Sequence, residues 1–443
     1  MTDGLGLEHA YGATIERIKT QDEGKRGLGA VALMWVSHAE RPLRADELCH
    51  ALAIKLGCKD FNADNAPSIS TLVGCCQGLV TVDKETSTVR LIHPTVKEYL
   101  STRTDIFSNP HSAMAEICLI YLNSEQVKAL PADPNTVIHD MPFLEYCSVY
   151  WGIHAKSELS DHVRSLALEL LQEYDGHISG KLLLKQVKYL DRRGPASNPG
   201  SDLGSDIDFP FSGLDCASFF GIVGLVFALM EMEHSRNQGG VLMHAPLAWA
   251  TRNGHDEVVR VILRDYRPNL NHRDYFGLTP LIYAIRCGQE RVVEILRRGS
   301  VNPNLPDDSG KTPLSYAAQD GLAGVVKILL WPYGVDPHIP NLHGQTPLWY
   351  AASGGHEEVI KILLGKDVNP DKPDNDGQTP LMRAAAGGHE GVVKILLGRE
   401  EVNPNKPANN GETPLMIASR LGFQEVMTLL QSHEAKTPAR PEA

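Results

Sequence analysis

Thr346-Pro347-Leu348 is one copy of a tripeptide that also stands intact at Thr279-Pro280-Leu281, Thr312-Pro313-Leu314, Thr379-Pro380-Leu381 and Thr413-Pro414-Leu415. Two weakened copies, Ser212-Gly213-Leu214 and Ala245-Pro246-Leu247, keep the same phase upstream. Counted on the second residue (213, 246, 280, 313, 347, 380, 414), the spacing alternates between 33 and 34. A fixed period in this range predicts a solenoid of stacked units, each burying its apolar face only against its neighbours.

Every part of the unit has a physical task. A glycine closes the preceding turn (Gly277, Gly310, Gly344, Gly377, Gly411). Threonine then caps a helix, and proline takes the first helical position, where its missing N–H is no loss. Leucine and paired small residues (Ala317-Ala318, Ala351-Ala352, Ala384-Ala385) let a short inner helix pack closely. A second glycine stops it (Gly288, Gly321, Gly355, Gly388, Gly422), and an aliphatic helix follows, as in Val392-Val393-Lys394-Ile395-Leu396-Leu397. Val-Asn-Pro, at Val301, Val368 and Val402, leads out to a hairpin tip. This unit resembles the ankyrin repeat, in register about seven times over residues 211–433.

The chain has 443 residues, 42% of them hydrophobic and 22% charged, which predicts two or three globular domains. A net charge of −12 argues against a chain built to hold a phosphate backbone. The eight cysteines form no CxxC pair and read as reduced thiols of an intracellular protein, placed in the cytoplasm with the nucleus as the alternative. No clustered metal ligands appear, and no basic region followed by an apolar core marks a signal peptide in the first 15 residues. The most apolar run, Cys216 to Met230, is too short to span a bilayer and falls in phase with the repeats. It is expected to be the buried helix pair of the first repeat, so no membrane partner is expected.

Upstream, residues 1–27 read as a helical lead-in, with a charged break from Gln21 to Arg26. Residues 28–105 read as three helices (around Val31–Val36, Arg44–Ile54 and Ile69–Leu79), two alternating strands (Leu79–Asp83 and Thr88–Ile92) and a last helix from Thr95. That is a winged helix. Residues 1–105 hold 12 Lys+Arg against 14 Asp+Glu, and the third helix, Ser68 to Gly78, has no basic residue. A major-groove reader needs Arg or Lys there, so no nucleic-acid partner is expected. Residues 106–192 form an amphipathic helical connector, 193–210 a linker rich in Gly, Pro, Ser and Asp, and 434–443 a polar disordered tail. The fold class is thus mainly α: an α-solenoid of about seven ankyrin repeats, preceded by a winged-helix domain and a helical connector.

Three segments carry a second resemblance: Leu7-Glu8-His9-Ala10-Tyr11, Gly78-Leu79-Val80-Thr81-Val82-Asp83, and Arg90-Leu91-Ile92-His93-Pro94-Thr95-Val96-Lys97-Glu98-Tyr99. They are similar to the winged helix that follows the NACHT nucleotide-binding domain in fungal NACHT–ankyrin proteins, the counterparts of NOD-like receptors. The similarity continues through Phe143-Leu144-Glu145-Tyr146, Tyr150-Trp151-Gly152-Ile153-His154-Ala155 and Phe219-Phe220-Gly221. It implies signalling or non-self recognition. It also implies that His93, where a NACHT domain is supplied, contacts the phosphates of bound ADP. The alternative for His93 is packing or capping of the next helix.

No P-loop is found. The nearest match, Gly310-Lys311-Thr312, has Leu305 where the first glycine belongs and is the ordinary Gly-x-Thr-Pro turn of the repeat. No nucleophile–base pair can be argued, so neither an enzyme nor a cofactor is expected. His255, His356 and His389 recur after the helix-stopping glycine and are read as structural.

A protein partner is expected in the groove of hairpin tips and inner helices, where non-periodic residues select the ligand. At the tips these are Tyr275-Phe276, Asp308-Ser309, Leu342-His343, Asn375-Asp376 and Asn409-Asn410; on the inner helices they are Arg252, Arg286, Gln319, Ser353 and Arg420. Tyr275-Phe276 beside Arg252 and Arg286 fits the aromatic-plus-arginine profile of interface hot spots. A second stripe, Trp249, Tyr283, Tyr316 and Tyr350, is open to two readings, packing between inner helices or partner contact. Three functions compete: a free-standing interaction scaffold, a piece of a NACHT-type switch ATPase, and a DNA-binding regulator that the acidic balance disfavours.

Overall fold

The structure is a computed structural model and describes residues 4–58, 61–101, 103, 106–131, 133, 140–191, 211–235, 244–266, 268–274, 277–331 and 334–434. It divides into two compact units, residues 1–241 and 242–443. The linker expected at 193–210 lies outside the described residues, as does the tail beyond Glu434.

The first unit opens with α1 (Gly4–Lys19), α2 (Glu23–His38), α3 (Ala45–Leu52) and α4 (Ile69–Cys75). Strands β1 (Val80–Val82) and β2 (Val89–Leu91) then pair antiparallel, with Val80 opposite Leu91, and α5 (Pro94–Ser101) follows. A bridge from Arg44 to Thr88 adds a third short edge to the wing. The charged stretch from Gln21 to Arg26 is largely the first turn of α2 rather than a break. Asp22 caps that helix by accepting the Lys25 backbone N–H at 3.0 Å, and Glu23 suits the positive end of the helix dipole. Glu47 is buried at the start of α3, where its carboxylate takes two Arg41 guanidinium bonds and the Arg44 backbone N–H, all at 2.8 Å. Full hydrogen bonding is what makes a buried carboxylate tolerable.

The connector runs α6 (Pro110–Asn123), α7 (Glu125–Lys128), α8 (Leu144–Ser157), α9 (Asp161–Gln172) and α10 (Ile178–Asp191). From Met114 to Leu122, α6 is buried on nearly every face, because α2, α8 and α9 all pack on it. Trp35 of α2 is fully buried and meets Phe143 and Tyr146 edge-on at 5.3 and 5.7 Å, so winged helix and connector share one core.

The first repeat, α11 (Gly213–Phe220) and α12 (Val223–Ser235), belongs to this same unit and packs on α8 and α9. The apolar run from Cys216 is this buried pair, turned at Gly221 with φ 76°. Gly213 stands where other repeats have proline, and contact explains it: a Cβ there would lie 2.0 Å from the Leu171 carbonyl oxygen. Phe220 stacks edge-on against Trp151 of α8 at 5.3 Å.

Among the described residues the second unit holds six further helix pairs: α13 (His244–Arg252) with α14 (Asp256–Tyr266), α15 (Pro280–Arg286) with α16 (Glu290–Arg298), and α17 (Pro313–Gln319) with α18 (Ala323–Leu330). After these come α19 (Pro347–Gly354) with α20 (Glu357–Leu364), α21 (Pro380–Ala386) with α22 (Glu390–Leu397), and α23 (Pro414–Leu421) with α24 (Gln424–Glu434). The threonine hydroxyls accept backbone N–H groups three residues on at 3.2–3.3 Å, as expected of caps. The alanine pairs on α17, α19 and α21 are wholly buried and let these inner helices lie against one another. His356 and His389 each donate Nε2–H to a carbonyl of the preceding inner helix, Gln319 at 2.8 Å and Ser353 at 3.0 Å, which stitches one repeat to the next. Gln424, Thr428, Gln431 and Ser432 are exposed and give the last helix a polar outer face.

Candidate functional site

Three inner helices, α15, α17 and α19, are each tied to the preceding hairpin by one polar residue at the hairpin base. Asp307 accepts the Ser309 and Lys311 N–H groups on Oδ1 at 2.9 and 2.8 Å, while its Oδ2 accepts the Tyr316 hydroxyl at 2.7 Å. Asp274 does the same for Leu278 and Tyr283, while Asn341 accepts the His343 and Gln345 N–H groups on Oδ1 and donates an Nδ2–H to the Tyr350 hydroxyl at 2.9 Å. The hydroxyls of the tyrosine stripe are therefore engaged within the repeat, and burial pushes all three phenols up, Tyr350 to about 12. What the stripe leaves on the inner surface is ring faces.

Cations lie on those faces. The Lys311 ammonium sits 4.0 Å from the Tyr316 ring centroid and 4.5 Å from that of Tyr350, and it donates to the Gln319 side-chain oxygen. The Arg286 guanidinium lies 5.9 Å over Tyr316, Arg252 lies 5.6 Å over Trp249, and Arg383 lies 4.7 Å over Trp349. Desolvation pulls the Lys311 ammonium down to about 8, partly opposed by the carboxylates of Asp320 and Asp307. Among the described residues Lys311 and Arg286 form no ion pair. Arg383 is held by Gln378 and Ser353 at 3.2 and 3.4 Å, and Arg420 pairs with Glu412 at 2.9 Å.

The charge is one-sided. Inner helices α13, α15, α17, α19, α21 and α23 carry Arg252, Arg286, Arg383 and Arg420 and no carboxylate. The outer helices carry acids beside Lys or Arg in four of six cases, as in Glu357-Glu358 with Lys361, and α24 carries acids without either. A basic inner face in an acidic chain is a local feature of the array.

Of the residues singled out by sequence, the structure gathers Arg286, Tyr316, Gln319 and Tyr350 around Lys311, with Tyr283 beside Arg252 and Arg286. Asp308 and His343 are exposed at consecutive tips, with Asp308 3.3 Å from Arg273. The tips are zipped by backbone bonds from Leu342 N–H to Ser309 O and from Asn375 N–H to His343 O. Tyr275 and Phe276 lie outside the described residues. Sequence reasoning passed over Lys311, although it is the only basic residue at the variable place of the Gly-x-Thr-Pro turn. It also passed over Trp349 as an apolar contact, while Leu342, singled out at its tip, is exposed.

His93 is exposed, and its Nδ1 accepts the Thr95 backbone N–H at 3.3 Å, which caps α5. The sequence shows no clustered metal ligands, yet folding brings Glu40, His111 and His154 together from three separate segments. No helix among the described residues is long and apolar enough to cross a membrane.

A solenoid of stacked helix pairs with hairpin tips defines a protein-interaction module. The family model of ankyrin repeats matches in overlapping segments (214–307, 247–341, 296–374, 314–408 and 366–440), together more than half of the chain, which therefore belongs to the ankyrin-repeat family. A second model, the winged helix domain of GPI inositol-deacylase, matches residues 15–109. No curated protein matches. Among solved structures, the crystal structure of an ankyrin repeat domain from Acinetobacter baumannii AYE is 29% identical, covering 42% of this chain and 97% of that one, with a TM-score of 0.39.

Proposed function

We propose that this chain is a non-catalytic scaffold whose array binds a protein partner through an acidic segment laid along the inner helices. The observation that carries this reading is the inner face itself, where arginines and Lys311 lie on aromatic rings with no carboxylate on any inner helix of the second unit. A desolvated ammonium on two ring faces gains most from an incoming carboxylate, and Arg286 beside it offers a planar fork for one. Trp249, Arg252, Tyr283, Asp308 and His343 belong to the partner surface in this reading, and Tyr275 and Phe276 are assigned its apolar contact on the sequence alone. A cytoplasmic role in signalling or non-self recognition fits the resemblance of the N-terminal part to NACHT-associated winged helices. In a NACHT-containing assembly, His93 would be the residue to examine.

Peptide display against the full chain tests the reading. Selected peptides should be rich in Asp and Glu, bind more weakly as salt rises, and lose binding to Arg286→Glu. Neutral or basic selected peptides, or unchanged binding by a folded Arg286→Glu chain, would overturn it. Tyr275→Ala with Phe276→Ala should weaken capture at least tenfold, and full retention removes that pair from the site.

A further inference from the structure

Glu40 follows α2, His111 lies in the first turn of α6, and His154 lies near the end of α8. The two imidazoles face each other with Nδ1 atoms 2.9 Å apart, and one ligand atom from each of the three residues lies within 4.8 Å of the others. We propose that Glu40, His111 and His154 form a site for a divalent transition-metal ion, with zinc the fitting one, that ties the winged helix to the connector.

The donor set is two neutral nitrogens and one carboxylate oxygen, which suits zinc and its neighbours and not magnesium or calcium. An ion about 2.1 Å from both nitrogens fits their present separation at an N–metal–N angle of about 90°, and a few tenths of an ångström of ring movement opens it toward tetrahedral. Glu40 is exposed, so its carboxylate closes the third side by rotation, and solvent supplies the fourth ligand. His154 is fully buried, and its other nitrogen lies 3.0 Å from the Tyr146 hydroxyl. That hydroxyl also accepts the Glu40 backbone N–H at 3.1 Å. A ligating histidine is commonly oriented through its second nitrogen in this way. Without an ion one of the two facing Nδ1 atoms carries the proton of their hydrogen bond; binding needs both Nδ1 atoms free of it, with the His154 proton on Nε2 toward the Tyr146 hydroxyl. The third nearby imidazole, His38, is edge-on to His111 at 5.7 Å, and its Nδ1 is engaged by Ser37 and the Met34 carbonyl, so it stands at the rim.

The experiment uses the full chain, stripped with a chelator and dialysed against zinc or cobalt(II). The expected result is one ion per chain, a cobalt spectrum of nitrogen and oxygen ligands, and a raised unfolding midpoint with zinc. Binding should be lost in His111→Gln and weakened at least tenfold in Glu40→Gln. Neither residue is fully buried, so both variants should keep the apo circular dichroism. Sulfur-to-cobalt charge-transfer bands would show that the free thiols hold the ion and would overturn the proposal. So would an absence of uptake, or undiminished uptake by folded His111→Gln.

Discussion

Lys311 is a cation held where water is scarce, and that gives it opposite effects on stability and binding. Its folded pKa, about 8, lies below its ordinary value, so between these limits the unfolded chain binds more protons than the folded one. Stability of the array should therefore rise with pH from about 8 to 10, by on the order of 2 kcal/mol, as read from urea melts. Lys311→Met should abolish that rise and stabilise the array by about 1–3 kcal/mol at pH 7, while weakening capture of acidic peptides. Asp215 gives the opposite slope in the first unit. Burial raises its carboxyl to about 6, against bonds from Ser212 that lower it. The folded state thus holds a proton that the unfolded state has released, and stability falls as pH rises from about 4 to 6. Asp215→Asn should flatten that limb, and an unchanged slope would place the titration elsewhere.

At the scale of elements, the threonine cap and the glycine contact answer to different physics. Thr379 is buried and its hydroxyl satisfies the Met382 N–H, so Thr379→Ala should lower stability by about 1 kcal/mol with an unchanged m-value. Gly213 instead faces a backbone carbonyl that no rotamer can move aside. Gly213→Ala should destabilise the first unit by about 2–3 kcal/mol, through separation of α11 from α9. Calorimetry separates the two cases, because the first variant affects the second unit and the second variant affects the first.

At the scale of the molecule, the chain holds two cores. Trp35, with Phe143, Tyr146 and His154 around it, anchors the first. Trp35→Ala should lower that unit's stability by about 3–5 kcal/mol and leave the melting of residues 242–443 in place. A single transition that shifts as a whole would refute the division into two units. The same division assigns the first repeat to the connector, so the array of the second unit begins with α13.

Much of this was legible in the chain alone. A period of 33 to 34, with threonine, proline and glycine at set places, encodes caps and stops that act within a few residues, so repeat, helix starts and helix ends follow from local chemistry. The wing was readable from alternating Val80–Val82 and Val89–Leu91 for the same reason. The extent of α2 was misjudged because a charged first turn resembles a break until its cap is seen. The ring faces beneath Lys311, Arg286 and Arg383 were not legible, because most of these contacts join residues in neighbouring repeats, and the one within a repeat, Lys311 on Tyr316, joins a turn to the helix after it. The grouping of Glu40, His111 and His154 was also hidden, since 43 or more positions separate each neighbouring pair in sequence. Sequence determines what each segment can form by itself; only packing decides which distant side chains share one environment.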